Sequence, residues 1–314
     1  MGKEKPKSYS QQVRENLAKT ISPDKTGGKF RGKGEARDHI CKDREDNFLE
    51  HQPKMANFKG NEFEKEIQYH TDATSLNSSQ VMCINFFWKF FQKPGDDEIL
   101  LRILRKSGLE INTDVTITNA IVEYIPNPKE GTNFDFYLKL SDDKVISMEI
   151  KYTESGFGGI SSYKEKENPK MNRYGDRWEQ IYAKLASEKN RWQMKEECEH
   201  KYVCLNGGKI CKDSCKNINN CAVIDFFENY QINRNIVLAE PGGYVLFLTP
   251  QANTTLNSGR RYIDSLNDPS IRNLYWEDVA ELAVQETKND PELYTYYSRF
   301  KAKYIDFVPW QLTK

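Results

Sequence analysis

The sequence lacks any apolar run approaching the roughly 18–20 residues of a membrane span. Its longest apolar stretches, such as residues 244–248, are strand-sized. The opening MGKEKPKSYSQQ carries lysines with no apolar stretch behind them, which excludes a secretory signal of the usual build. Pro6 stands where a myristoylation motif on Gly2 needs Ser or Thr. These absences lead to the expectation of a cytoplasmic protein. Net charge is missing too: 46 basic residues balance 46 acidic ones. Any contact with a polyanion must therefore rest on local positive charge. Histidine is scarce, with four in all, and His39, His51 and His70 are too scattered to suggest a shared site. There is no G-x-x-x-x-G-K-S/T pattern, so the basic, glycine-rich run KFRGKG from Lys29 to Gly34 is not a phosphate-cradling loop.

What is present suits a folded chain. At 38% hydrophobic and 12% aromatic residues, the 314 residues can bury a core sized for one large domain or two modest ones. Residues 1–60 are rich in Lys, Arg, Gly, Asp and Asn with poor hydrophobic periodicity. They read as an arm, either flexible, packed at the periphery, or touching a nucleic-acid backbone. Ordered signal begins near Phe58. Asn77 and Ser78 read as a helix N-cap before Val81, Ile84, Phe87, Trp88 and Phe91, spaced mostly three or four apart, with Pro94 closing the run. A short helix is expected over 98–106. Three strand signals follow at 116–125 (TITNAIVEYI), 133–140 (NFDFYLKL) and 145–153 (VISMEIKYT), the last two joined by a turn at 141–144. They predict an antiparallel three-strand meander. A polar helix is expected over 177–197, another helix over 224–238, a strand at 244–249 (YVLFLT), and helices at 276–285 and 291–304. One sheet with helices on its faces is the simplest packing of these elements.

The chemistry concentrates in the meander. Residues i and i+2 of a strand share a face, so Glu149 and Lys151 project together and Ile150 points away. Asp135 and Glu149 lie about equally far from the Asp142-Asp143 turn, which puts them opposite each other on one face. Two carboxylates on a rigid sheet suit Mg²⁺, which takes only one or two protein carboxylates and keeps several waters. Such a metal lowers the pKa of bound water and neutralises phosphodiester charge. The lysine beside it can stabilise the phosphorane or position the attacking water. The same spacing also fits an ordinary solvated strand face bearing an ion pair.

The stretch NFDFYLKLSDDKVISMEIKYT, residues 133–153, resembles the core of the PD-(D/E)xK, or restriction-endonuclease-like, nuclease superfamily. The resemblance implies an α/β fold with an αβββαβ core, a mixed central sheet flanked by helices. It also implies that Asp135, Glu149 and Lys151 are the catalytic set, with Asp135 and Glu149 holding Mg²⁺ or Mn²⁺. Phe134 stands where the family usually places a proline before the aspartate. The family often adds an upstream acid, for which Glu123 is the candidate; Glu62, Glu64 and Glu66 are weaker ones. A Gln or Arg on the helix after the motif makes Gln231 and Arg234 candidates for nucleic-acid contact. A narrower likeness to a bacterial group of restriction-endonuclease-like proteins runs from Ser78-Ser79-Gln80 through Tyr152-Thr153-Glu154 and Arg234-Asn235 to about Leu256, and adds Gln80 to the site. On this resemblance, 61–314 form the nuclease domain. The expected function is a metal-dependent endodeoxyribonuclease related to restriction or defence, acting on DNA and more readily on the double-stranded form, with a homodimer left open. The alternative is a nuclease-like module that binds nucleic acid or protein without cutting.

A Cys-rich insert interrupts that domain at 198–221. Cys198, Cys204, Cys211, Cys215 and Cys221 crowd there with His200, separated by Asn and Gly. In a cytoplasmic protein such a cluster suggests thiols or metal ligands before disulfides. Any four could hold a tetrahedral Zn²⁺ or an iron–sulfur cluster; the spacing matches no paired C-x-x-C pattern and does not decide between these and unligated thiols. Cys83, inside the aromatic helix, is expected in the core.

Overall fold

A computed structural model describes residues 6–60, 65–158, 181–189 and 226–312. The Cys-rich insert, with all its candidate ligands, and most of the polar helix expected over 177–197 lie outside the described residues. So do Glu62 and Glu64. Strands β1 (Thr26–Lys29) and β2 (Ala36–Cys41) form a small antiparallel ribbon. Strands β3 (Asn57–Lys59), β4 (Ile117–Tyr124), β5 (Phe134–Leu140), β6 (Val145–Ile150), β7 (Tyr244–Thr249) and β8 (Ile271–Tyr275) form one six-stranded sheet in that order. The sheet is mixed: β3 to β6 run antiparallel to their neighbours, and β6, β7 and β8 run parallel. The expected meander is present, and β3 and β8 extend the sheet on either side.

Helices cover both faces. Among the described residues they are α1 (Tyr9–Leu17), α2 (Ser79–Phe87), α3 (Asp96–Lys106), α4 (Ala183–Lys189), α5 (Tyr230–Leu238), α6 (Asn257–Ser265), α7 (Trp276–Glu286) and α8 (Pro291–Tyr304). Strand β7 shows why two layers form. Leu246 and Leu248 face the core built with α2, α3, α7 and α8, while Val245 and Phe247 face a second core built with α5 and α6. A strand covered on both sides reads as a continuous apolar run instead of an alternating one, as YVLFLT does. On β6 the two faces differ in chemistry. Ile146, Met148 and Ile150 enter the first core, leaving Ser147 and Glu149 for the other face.

Helix α2 begins at the expected cap, where the Ser78 hydroxyl accepts from the Val81 N–H. Every residue from Gln80 to Phe87 is buried, so this is a central helix and not an amphipathic one. Phe87 stacks on Phe136 of β5 with ring centroids 4.0 Å apart, and Phe86 makes edge contacts with Trp276 and Phe300. In α3, Asp96, Asp97 and Glu98 sit in the first turn and Arg105 and Lys106 in the last, which complements the helix dipole. Residues 6–60 contribute α1, the β1–β2 ribbon and β3. Ser8 and Gln11 form a capping box on α1, and Val13 and Leu17 join the main core.

Truncating Phe87 to Ala is expected to lower the unfolding free energy by roughly 3–5 kcal/mol, the usual range for a buried aromatic. Chemical denaturation measures this, and a loss no larger than that of an exposed aromatic such as Tyr294→Ala would contradict the central placement of α2.

Candidate active site

The site is built by register. In the β5–β6 hairpin Phe136 pairs with Met148, Tyr137 with Ser147 and Lys139 with Val145, so one more step sets Asp135 opposite Glu149. In the β4–β5 pair Val122 faces Phe136 and Tyr124 faces Phe134, which sets Glu123 opposite Asp135. Three carboxylates thus form a row across three adjacent strands. The turn that fixes this register holds Asp143 at φ 65°, with its N–H bonded to the Leu140 carbonyl at 3.1 Å; aspartate is among the residues that tolerate this left-handed region. Glu123 also takes a positive φ, 57°, a strained conformation for a non-glycine residue and one that clusters at functional sites.

Each carboxylate meets a different environment. Glu149 is 3% exposed. Its Oε1 accepts from Lys151 Nζ at 2.8 Å and from Gln231 Nε2, and its Oε2 accepts from Asn235 Nδ2 at 2.7 Å, with Arg234 Nη2 4.0 Å away. Asp135 is partly exposed; one oxygen accepts the Ile150 N–H at 2.6 Å, and among the described residues the other accepts no hydrogen bond. Glu123 accepts from Gln80 Nε2 at 2.9 Å and from Asn133 Nδ2, and His70 Nε2 stands 3.8 Å away. Lys151 is fixed through its backbone: its N–H donates to Leu248 at 2.9 Å and its carbonyl accepts from the Trp276 indole at 3.2 Å.

The charges are unbalanced. Burial, then the neighbouring Glu149 and Glu123, hold the Asp135 carboxyl well above the usual carboxylate range. Burial pushes Glu123 up as well, against the Gln80 hydrogen bond. For Lys151, burial favours loss of the proton, but Glu149, Glu154 and Asp135 outweigh it and the ammonium is held above its ordinary value. Lys151 is therefore a proton-bearing donor at neutral pH and not a base. The cluster is rich in negative charge and has one open carboxylate oxygen at its centre.

The structure brings together Asp135, Glu149, Lys151, Glu123 and Gln80. Gln231 and Arg234, expected to face nucleic acid, both reach Glu149 from α5, and Arg234 also donates to Asn235 Oδ1 at 3.1 Å. Glu66 lies instead on a bridge to Met55, and Cys83 is buried in α2 as expected. Asn235 was not among the site candidates. Its place four residues after Gln231 puts both on one helix face, and that spacing was the available signal. His70 and Asn133 carried no signal, because only tertiary packing brings them to Glu123. Among the described residues no group of three or more His, Cys, Asp or Glu is arranged as a ready-made metal cage.

The family comparison places the chain among restriction-endonuclease-like proteins. Residues 8–305 match the family model described as Restriction Endonuclease associating with ARP, and the chain belongs to that family. The match begins at Ser8, the N-cap of α1, so most of the first 60 residues fall within the family's own pattern. Membership points to a nuclease with a role in defence. No curated protein and no solved structure matches the chain. Among the described residues no helix is long and apolar enough to cross a membrane.

The crowding has a measurable consequence. Above an ordinary carboxylate pKa of about 4 the unfolded chain has released protons that the folded Asp135 and Glu123 still retain. Stability therefore falls as pH rises from there through their raised values. Asp135→Asn keeps an acceptor for the Ile150 N–H and removes the charge. In EDTA its Tm is expected to exceed that of the wild type at pH 8 and to converge on it near pH 4. A lower Tm for the variant at pH 8 would overturn this electrostatic reading.

Proposed function

We propose that the protein is a magnesium-dependent endonuclease of the PD-(D/E)xK kind that hydrolyses phosphodiester bonds in DNA, the double-stranded form above all. The observation that carries this reading is the row Glu123, Asp135 and Glu149 across three strands with the Lys151 ammonium beside it. Binding alone requires no such set, because buried carboxylates that repel one another cost stability unless a cation offsets them.

The donor set fits a hard divalent ion. All three acids offer oxygen, Asp135 has an open oxygen, and Mg²⁺ needs no more than one or two protein carboxylates; Mn²⁺ fits the same ligands. Asp135 and Glu149 are the residues that would hold it. When bound, the ion would supply a water of lowered pKa and neutralise charge on the phosphodiester. Lys151 presents a fixed ammonium to the developing negative charge of the phosphorane, where a preorganised donor in a dry site has its largest effect. Glu149 orients that ammonium, and Gln231 and Asn235 hold Glu149 in turn. Glu123, held by Gln80 and Asn133, closes the far side of Asp135. The family description names an association with ARP, and we place the activity within a defence system that includes such a partner.

Supercoiled plasmid, linear duplex and single-stranded DNA incubated with Mg²⁺, Mn²⁺ or EDTA test the proposal. Cleavage is expected with either metal and not in EDTA, and Asp135→Asn and Lys151→Ala are each expected to lower it by about 100-fold or more, the scale of losing one transition-state donor. Undiminished cleavage by either variant contradicts the assignment. Binding without cleavage under every metal condition favours a non-cleaving module.

A further inference from the structure

Beside the acidic row lies a second polar cleft, built by the N-terminal segment. A cavity of about 390 Å³ is lined by Arg14 of α1, Phe30, Arg37 and His39 of the ribbon region, His70 and Glu154 among others. Its volume falls within the range of ordinary ligand clefts, roughly 300–1,000 Å³. Two of its lining residues relate it to the candidate active site: His70 approaches Glu123 at 3.8 Å, and Glu154 helps to hold the Lys151 proton.

Its cations are uncommitted. Among the described residues the Arg14 side chain bonds only within its own helix, to the Ser10 carbonyl at 3.1 Å and the Ser10 hydroxyl at 3.0 Å. Arg37 lies over the Phe30 ring at 5.7 Å. Among the described residues neither forms an ion pair. Arg31, by contrast, is neutralised by Asp72 through two hydrogen bonds of 2.9 Å. Of the acids that line the cleft, Asp72 is therefore already paired, and Glu154 accepts the Tyr152 N–H at 2.6 Å. The field of the two arginines is felt by their neighbour: burial first, then Arg14 and Arg37, push His39 down to about 4, so it stays neutral at physiological pH and offers a hydrogen bond without charge.

We propose that this cleft is a backbone subsite, where Arg14 and Arg37 take phosphates of the nucleic-acid strand that runs on from the scissile bond. Guanidinium groups with free donors suit phosphate oxygens in bidentate geometry. The Phe30 ring, which also lies 5.1 Å from Arg31, attracts the Arg37 guanidinium by cation–π contact, which lowers the cost of ordering it on binding. The subsite rests on the nuclease reading above, and it assigns a role to a segment that the catalytic row leaves unused. Contacts of this kind position a strand without reading its bases, so sequence preference is expected to be untouched by their loss.

Fluorescence anisotropy with a labelled duplex and a labelled single strand, in Ca²⁺ and across a salt series, tests it in the uncleaving Asp135→Asn background. Arg14→Ala with Arg37→Ala is expected to raise Kd roughly tenfold and to reduce the slope of log Kd against log salt by about one per arginine, equally for unrelated sequences. Arg37→Lys is expected to recover most of the slope, and Phe30→Ala to weaken binding without changing it. Both arginines touch little else, so the Tm of the variants should match that of their parent. Wild-type Kd and slope in the double variant, or a weakened Kd with a lowered Tm and unchanged slope, overturns the subsite. If the Asp135→Asn parent binds neither DNA while the cleft binds an acidic peptide, the nuclease reading itself fails and the arginines serve a protein partner.

Discussion

The register of the β5–β6 hairpin is the constraint on which the site depends. Side chains alternate along a strand with period two, so a slip of one residue in either strand would carry Asp135 or Glu149 to the opposite face. Two features resist that slip. The turn closes with Asp143 in the left-handed region, which fixes the loop length. The alternate residues Phe136, Leu138, Ile146 and Met148 are all fully buried in the core against α2 and its neighbours. The apolar face that stabilises the sheet thus forces the polar face to converge. A one-residue slip that parted the two carboxylates would also expose this apolar face, so the packing of that face and the assembly of the site are coupled.

A second dependence runs through Glu149. A carboxylate this deeply buried is tolerated only when its lone pairs are satisfied. Lys151, Gln231 and Asn235 do so, and two of these come from α5, which packs on the face that Glu149 shares. The same bonds fix Glu149 in one orientation, and it in turn keeps Lys151 charged and aimed. Asp135 is treated differently: it has one backbone donor and an open oxygen between two acids. Glu149 thus has both oxygens held in place yet keeps acceptor capacity on Oε2, which has one close donor, while Asp135 beside it has an open oxygen. That division is what suits the cluster to an external cation.

The meander, the helix capped by Ser78 and the opposition of Asp135 to Glu149 were legible in the sequence, because each follows from local periodicity or a turn. The flanking strands were less so. β8 (IRNLY) is a short edge strand with mixed chemistry, and β3 has only three residues, too few for alternation to register. Helix α1, with its Ser8–Gln11 capping box, lies in the segment read as an arm, because its mean polarity hid the two residues, Val13 and Leu17, that dock it. Within the site, Gln231 and Glu123 could be singled out only through a family resemblance. Their actual contacts, and those of Asn235, Asn133 and His70, arise where elements distant in the chain pack together. The left-handed backbone at Glu123 has no signature in its residue type at all.

The central claim is that Asp135 and Glu149 form one divalent-cation site. Isothermal titration of Mn²⁺ into the metal-free protein tests it most directly, with no dependence on substrate or turnover. Wild type is expected to bind saturably, and both Asp135→Asn and Glu149→Gln are expected to abolish that binding while remaining folded. Mn²⁺ binding of undiminished affinity in either folded variant would contradict the claim.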